Sequence, residues 1–194
     1  GLLADSTAVV IGAMLVAPLM GPLVAAGHSL VQANLSLFRR SLGVAGIGLG
    51  IGFAASLIFG ALNPGFEPTL EIEARGKADL LDLGIAFFSG MTAAYAIGRS
   101  HVMTTIAGVA IAAALVPPLA VVGLALTHGR PLISYNAAIL LTTNLVAIIL
   151  GAAIVFRMLH VNVPRQGAGI PIWVRRATML LFLVLALLIA PLVG

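Results

Sequence analysis

The chain has no cysteine, so disulfides, thiolate metal sites and thiol nucleophiles are excluded and the redox compartment is left open. Charge is almost as scarce. Only 8% of the 194 residues are charged while 61% are hydrophobic; soluble domains carry about 25% charged residues, so the chain reads as an integral membrane protein whose first partner is the lipid bilayer. Enzyme signatures are also missing: no HExxH, no GxSxG, no P-loop and no carboxylate pair inside an apolar segment. The glycine run Gly46 to Gly52 (GIGLGIG) lies in an apolar stretch and cannot be a dinucleotide loop following a strand. The expectation is therefore a protein that is not an enzyme, with no catalytic residues, no metal and no cofactor. The net charge of +4 does not imply nucleic-acid binding, because basic residues of membrane proteins collect in cytoplasmic loops. Gly1 to Ala25 has no basic segment ahead of its apolar run, so a signal peptide is a poor reading. The chain is expected to continue upstream of Gly1.

What is present is length and apolarity. Hydropathy and charge breaks predict six spans, Thr7–Gly27, Ser41–Leu62, Leu81–Gly98, Met103–Thr127, Ser134–Met158 and Arg176–Val193, each near the ~20 residues that a crossing helix needs. Threading them alternately puts Arg39, Arg40, Arg99, Arg157, Arg165, Arg175 and Arg176 on one side and Arg75, Lys77 and Arg130 on the other. The first side is then cytoplasmic. Five of the six acidic residues (Glu67, Glu71, Glu73, Asp79 and Asp82) fall in or beside the outward loop over residues 63–80.

Two stretches one hundred residues apart echo each other: Ala8 to His28 (AVVIGAMLVAPLMGPLVAAGH) and Gly108 to His128 (GVAIAAALVPPLAVVGLALTH). Nine of 21 aligned positions are identical, against about two or three expected by chance in such a text, which points to a duplication. The copies are spans one and four. Three spans apart, they cross in opposite directions, the inverted-topology arrangement of many secondary transporters. The fold expected is an all-α transmembrane bundle: a first repeat over residues 1–62 lacking its first helix, the loop 63–80, a second repeat over 81–158, and a connector with a terminal span over 159–194.

Each copy carries prolines near its middle, Pro18 and Pro22 in one and Pro117 and Pro118 in the other. A proline-broken helix exposes carbonyls near the midplane, where a cation or polar solute can be coordinated; a kink relieved by neighbouring helices is the structural alternative. Ala17 and Val116, adjoining the breaks, are the expected carbonyl ligands. Polar residues approach each break: Asp5, Ser6 and Thr7 before the first, Ser100, His101, Thr104 and Thr105 before the second. Asp5-Ser6-Thr7 read foremost as a helix N-cap, and Ser100 or Thr104 can cap span four in the same way, a role compatible with a site. Thr142, Thr143 and Asn144 make a polar step inside span five, suited equally to interhelical hydrogen bonding and to lining a site. The expected binding set is thus Asp5, Ser6, Ala17, Pro18, Ser100, His101, Val116, Pro118, Thr143 and Asn144.

His28 and His128 recur at one repeat position and read as caps or anchors rather than proton relays; Asn34 and Asn136 read as loop or cap residues. Gly46-xxx-Gly50, Gly48-xxx-Gly52 and Gly90-xxx-Ala94-xxx-Gly98 let helices approach closely, within one protomer or across a homo-oligomer. Trp173, beside Arg175 and Arg176, reads as an interfacial anchor.

The runs GLLADSTAVVIGAMLVAPLMGP (Gly1 to Pro22) and AGVAIAAALVPPL (Ala107 to Leu119) resemble the two signatures of a family of prokaryotic membrane proteins, the uncharacterised hydrophobic domain or domain of unknown function 389. The resemblance implies a polytopic inner-membrane fold with a hydrophobic helix before Gly1. It implies no substrate. The functional expectation rests on the symmetry: a transporter or transporter-like channel for a small solute or ion, with a membrane anchor or assembly module as the alternative.

Overall fold

The computed structural model describes residues 19–63, 72, 80–99, 104–161 and 171–193. Among them there is no strand, and six helices follow one another: α1 (Met20–Val31), α2 (Leu35–Leu62), α3 (Leu80–Gly98), α4 (Thr104–Thr127), α5 (Pro131–Met158) and α6 (Ile172–Val193). Helices α2 to α5 are long and apolar enough to cross a membrane. At 12 residues, α1 is ~18 Å long, about half the hydrocarbon core. The first part of the expected span one lies outside the described residues. Large apolar side chains point outward, among them Ile47, Ile51 and Phe59 of α2, Phe88 of α3 and Met179 and Leu187 of α6, the surface of a protein solvated by lipid rather than water.

Three helices begin well ahead of the hydropathy prediction: α6 at Ile172 rather than Arg176, α2 at Leu35 rather than Ser41 and α5 at Pro131 rather than Ser134. The side chain of Asn34 accepts from the Leu37 backbone N–H at 3.0 Å and caps α2, so the helix continues through exposed Arg39 and Arg40 before it turns apolar. Pro131 stands at the first position of α5, where its missing N–H costs nothing.

The turns between α1 and α2 and between α4 and α5 share one geometry. After α1, the Asn34 N–H donates to Ser29 O at 3.0 Å and the Ala33 N–H to Leu30 O at 3.4 Å; after α4, the Arg130 N–H donates to Ala125 O at 2.9 Å and the Gly129 N–H to Leu126 O at 3.3 Å. Ala33 (φ 56°) and Gly129 (φ 64°) take the left-handed conformation that this helix-ending motif requires. Each turn leads into a helix of 28 residues.

The hairpins also pack on each other at matched positions. A Cβ on Gly27 would meet Ala152 Cβ and the Ile149 carbonyl at 2.8 Å, so α1 lies directly on the C-terminal half of α5. A Cβ on Gly123 would overlap Ser56 Oγ and lie 2.7 Å from Ser56 Cβ, so α4 lies likewise on α2. Gly27 and Gly123 are 96 residues apart, and so are Ser56 and Ala152. The first turn therefore sits at the C-terminal end of α5 and the second at the C-terminal end of α2: the two turns occupy opposite ends of the bundle. Phe38 at the start of α2 meets Trp173 at the start of α6, ring centroids 6.0 Å apart, which places the predicted anchor at the first-turn end. Six of the seven described arginines (Arg39, Arg40, Arg99, Arg157, Arg175 and Arg176) are exposed at that end, and Arg130 is at the other.

Helix α3 runs beside α5 in backbone contact. A Cβ on Gly90 would overlap the Ile148 carbonyl, and one on Gly151 would overlap the Phe87 carbonyl. The glycines of α2 divide between two faces. Gly48 and Gly52 receive the side chains of Leu19 and Leu119, whereas Gly43, Gly46 and Gly50 have nothing within 4 Å. In the segment expected to be a loop, Ile72 is helical and fully buried, clustered with Ala112, Val121, Leu124 and Ala137 of α4 and α5.

These contacts predict opposite outcomes for two glycines. Gly90→Ala drives a methyl into the α5 backbone and lowers stability by about 1–3 kcal/mol, whereas Gly46→Ala fills open space and raises it by up to about 1 kcal/mol. Thermal unfolding of the purified protein checks both.

Candidate functional site

Helix α4 runs from Thr104 to Thr127 with Pro117 and Pro118 inside it. The expected break at these prolines is thus not a termination; the helix continues while its hydrogen-bond ladder is interrupted. A proline at position i leaves the carbonyl at i−4 without its donor. The carbonyls affected are those of Ala113 and Ala114, one turn back, rather than that of Val116, which faces the ordinary N–H of Ala120 in the continuing helix.

Asn144 answers one of the two. Its Nδ2 donates to Ala114 O across the helix pair at 2.9 Å. Asn144 is 1% exposed and lies thirteen residues from Pro131 and fourteen from Met158, the centre of α5. The amide cannot be reversed, because Ala114 O only accepts and the oxygen would then face it. Asn144 Oδ1 is left buried, with no hydrogen-bond partner. Pro117 and Pro118 are both fully buried beside this contact. Nearer the second turn, Ser134 Oγ donates to Val122 O at 3.0 Å, so the α4–α5 hairpin is stitched at two levels.

The other members of the polar step turn back on their own helix. Thr143, fully buried, donates to Ile139 O at 2.7 Å, and Thr142, exposed, donates to Ala138 O at 2.8 Å. Asn136 lies within α5 rather than at its cap, because Pro131 starts that helix sooner.

The first proline pair has a different setting. Helix α1 starts at Met20, and Pro22 falls in its first turn, where backbone N–H groups have no ladder partner to lose. Asp5, Ser6, Ala17 and Pro18, together with Ser100 and His101, lie outside the described residues. The described part of the expected set is therefore Val116, Pro118, Thr143 and Asn144, all on α4 and α5. Among the described residues no three His, Cys, Asp or Glu side chains come together as a metal would need.

The two repeated histidines part company. His128 closes the end of α4: its Nδ1 is 2.8 Å from Leu124 O and its Nε2 is 2.8 Å from Asn63 O at the end of α2. His28 lies in the last turn of α1, where its ring stacks on Phe156 of α5 at 4.7 Å and its Nε2 is buried without a partner. The cause is the turn. Gly129 followed by Pro131 ends the second hairpin's first helix one helical turn sooner, counted from the aligned prolines, than Ala33 ends the first.

The Asn144–Ala114 bond predicts a non-additive pair. Asn144→Leu strands a buried carbonyl and lowers stability by about 1–3 kcal/mol. In a Pro118→Ala background the new N–H takes Ala114 O, and the same replacement costs at least about 0.5 kcal/mol less. A double-mutant cycle of unfolding free energies measures the difference.

Comparison with known proteins covers the same region. The profile of the family described as Domain of unknown function (DUF389) matches residues 14–150, a range that contains both turns, both described prolines of α4 and Asn144. An uncharacterized protein of Methanocaldococcus jannaschii, MJ0678, is 33% identical over 156 residues, covering 80% of this chain and 48% of that protein. The chain thus spans about half the length of this relative. No solved structure matches it. The profile covers more than half of the chain, which therefore belongs to the family of Domain of unknown function DUF389.

Proposed function

We propose that this chain is a transporter or transporter-like channel of the inner membrane, passing a small solute or ion along a polar route at the middle of the α4–α5 hairpin. The observation that carries the reading is Asn144. A buried amide at the centre of a membrane-length helix needs partners for both its ends. Asn144 Nδ2 has one across the helix pair, and its Oδ1 is left as an open polar atom beside the interrupted ladder. The amide is thereby joined to a helix whose ladder is interrupted by two adjacent prolines.

The paired hairpins support an inverted repeat as the frame. Their turns share a motif, lie at opposite ends and carry helices that cross at positions 96 residues apart. An inverted repeat puts a site near the bilayer midplane between its halves. In this frame the six-span reading stands, and the arginine-rich end faces the cytoplasm.

The outward face of α2 favours a second use of the same fold, assembly with another helix. Gly43, Gly46 and Gly50 lie open there beside exposed Val44, Ile47 and Ile51, the small-residue pattern of helix association in lipid.

Reconstitution into proteoliposomes, with uptake of a panel of small ions and neutral solutes, tests the transport reading. Pro18→Ala combined with Pro118→Ala lowers flux by roughly an order of magnitude, equivalent to about 1.4 kcal/mol on the limiting barrier; unchanged flux from the folded double variant contradicts the proline-based route. Orientation has its own check, helped by the absence of native cysteine. In sealed right-side-out vesicles a membrane-impermeant maleimide labels Leu132→Cys and spares Ser36→Cys; the reverse pattern overturns the assignment.

A further inference from the structure

We propose that the starts of α2 and α6 form a docking surface for an anionic phospholipid. Its headgroup lies on Arg39, Arg40, Arg175 and Arg176, and its acyl chains follow the apolar faces that these arginines head. The proposal goes beyond the transport reading and does not rest on it.

Charge asymmetry alone gathers basic residues at one end of a membrane protein. It does not require the register found here. On α2, Arg39 heads a row through Gly43, Gly46 and Gly50, and Arg40 heads a row through Val44, Ile47 and Ile51. Residues at such steps share one helix face, and every one of these is exposed. On α6, Arg175 heads Met179 and Phe182, while Arg176 heads Leu180, Leu183 and Leu187. These are exposed as well.

The two helices meet at their arginine ends. Phe38, the residue before Arg39, holds its ring 6.0 Å from that of Trp173, two residues before Arg175. One aromatic pair therefore sets both arginine pairs at one rim, each at the head of an apolar strip that faces lipid. The described acidic side chain stands at the other end. Asp82 is in the first turn of α3, whereas Arg99 follows the last. Glu71 and Glu73 flank Ile72, which is buried with Val121, Leu124 and Ala137 near the second turn. Among the described residues, then, no carboxylate pairs with the four guanidinium groups.

Guanidinium forks bind phosphate oxygens in pairs, and basic clusters at the headgroup level recognise anionic lipids. The apolar strips select a lipid over a soluble anion, because a free phosphate has nothing to lay along them. Arginine stems lie on apolar surface while their heads stay at the interface. A lipid and a partner helix exclude each other on the α2 face, and the experiment separates them.

Trp173 is the single tryptophan of the chain, so its emission reports on this place alone. The protein is reconstituted into vesicles of phosphatidylcholine with brominated acyl chains, which quench tryptophan on contact. Unbrominated phosphatidylglycerol is then titrated in at constant ionic strength, and the recovery of emission gives its relative affinity. Phosphatidylglycerol is expected to be preferred over phosphatidylcholine about tenfold. Arg39→Gln with Arg40→Gln, or Arg175→Gln with Arg176→Gln, lowers the preference to about threefold. Arg99→Gln with Arg157→Gln removes the same charge elsewhere at this end and leaves the preference within about twofold. Equal affinity for the two lipids overturns the proposal. So does a preference lowered as much by the Arg99 and Arg157 pair, which means diffuse attraction rather than a site. A preference abolished by glycerol 3-phosphate assigns the arginines to a soluble anion and overturns the lipid. Emission that brominated lipid does not quench means that protein covers the face, and it overturns the proposal in favour of helix association.

Discussion

A main-chain carbonyl in hydrocarbon has no water to turn to, and the arrangement at the centre of this bundle follows from that constraint. Pro117 and Pro118 remove two donors from the α4 ladder at a depth where nothing external can replace them. The α4 helix nevertheless continues, and the side chain that holds it together comes from the facing helix. The interaction itself is modest, about 0.6–1.7 kcal/mol for a typical interhelical bond in a membrane. The asymmetry gives it weight, because an acceptor left bare in an apolar medium costs about 2–7 kcal/mol depending on the reference state. Asn144 thereby stabilises the hairpin and, through its own uncompensated Oδ1, leaves one polar atom poised for something else.

Close approach of backbones does the rest. Between helices in lipid there is no hydrophobic drive, so contact depends on packing, and small residues stand at each main crossing: Gly27 on Ala152, Gly123 on Ser56, Gly90 and Gly151 between α3 and α5. The first two crossings bind each hairpin to the opposite one. Because of them the hairpin turns face opposite ends, and the arginines of the first-turn end are set apart from Arg130. Local turn chemistry, glycine placement and charge asymmetry therefore agree on one topology, as expected of a sequence with few competing folds.

Much of this was legible beforehand. The ends of α2, α3, α4 and α5 at Leu62, Gly98, Thr127 and Met158 were readable because each is followed closely by a charge, a glycine or a turn residue. The starts of α2, α5 and α6 were not: hydropathy stops at Arg39 and Arg40 and again at Arg175 and Arg176, while the helices run past both pairs, α2 from its cap at Asn34 and α6 from Ile172. The two proline segments align in sequence at an offset of 100, yet the turns and crossings match at 96. Four residues are about one helical turn, so such a slip nearly preserves the buried face and leaves little trace in the apolar pattern. It still separates the fates of His28 and His128. At the site, Asn144 stood out as a polar step in an apolar span, but its partner did not. Ala114 is an alanine among alanines, and only the rule that proline strands the carbonyl four residues back singles it out. The burial of Ile72 was hidden by the acidic residues on either side of it.

The most direct test of the central contact is solid-state NMR on the protein in bilayers, with ¹⁵N in asparagine side chains and ¹³C in alanine carbonyls. Dipolar recoupling should reveal a close side-chain amide to carbonyl contact that disappears in Asn144→Leu, while the remaining asparagine signals stay in place. A spectrum identical in both proteins would mean that the Asn144 amide does not hold the Ala114 carbonyl, and the account of how α4 passes through its two prolines would be wrong.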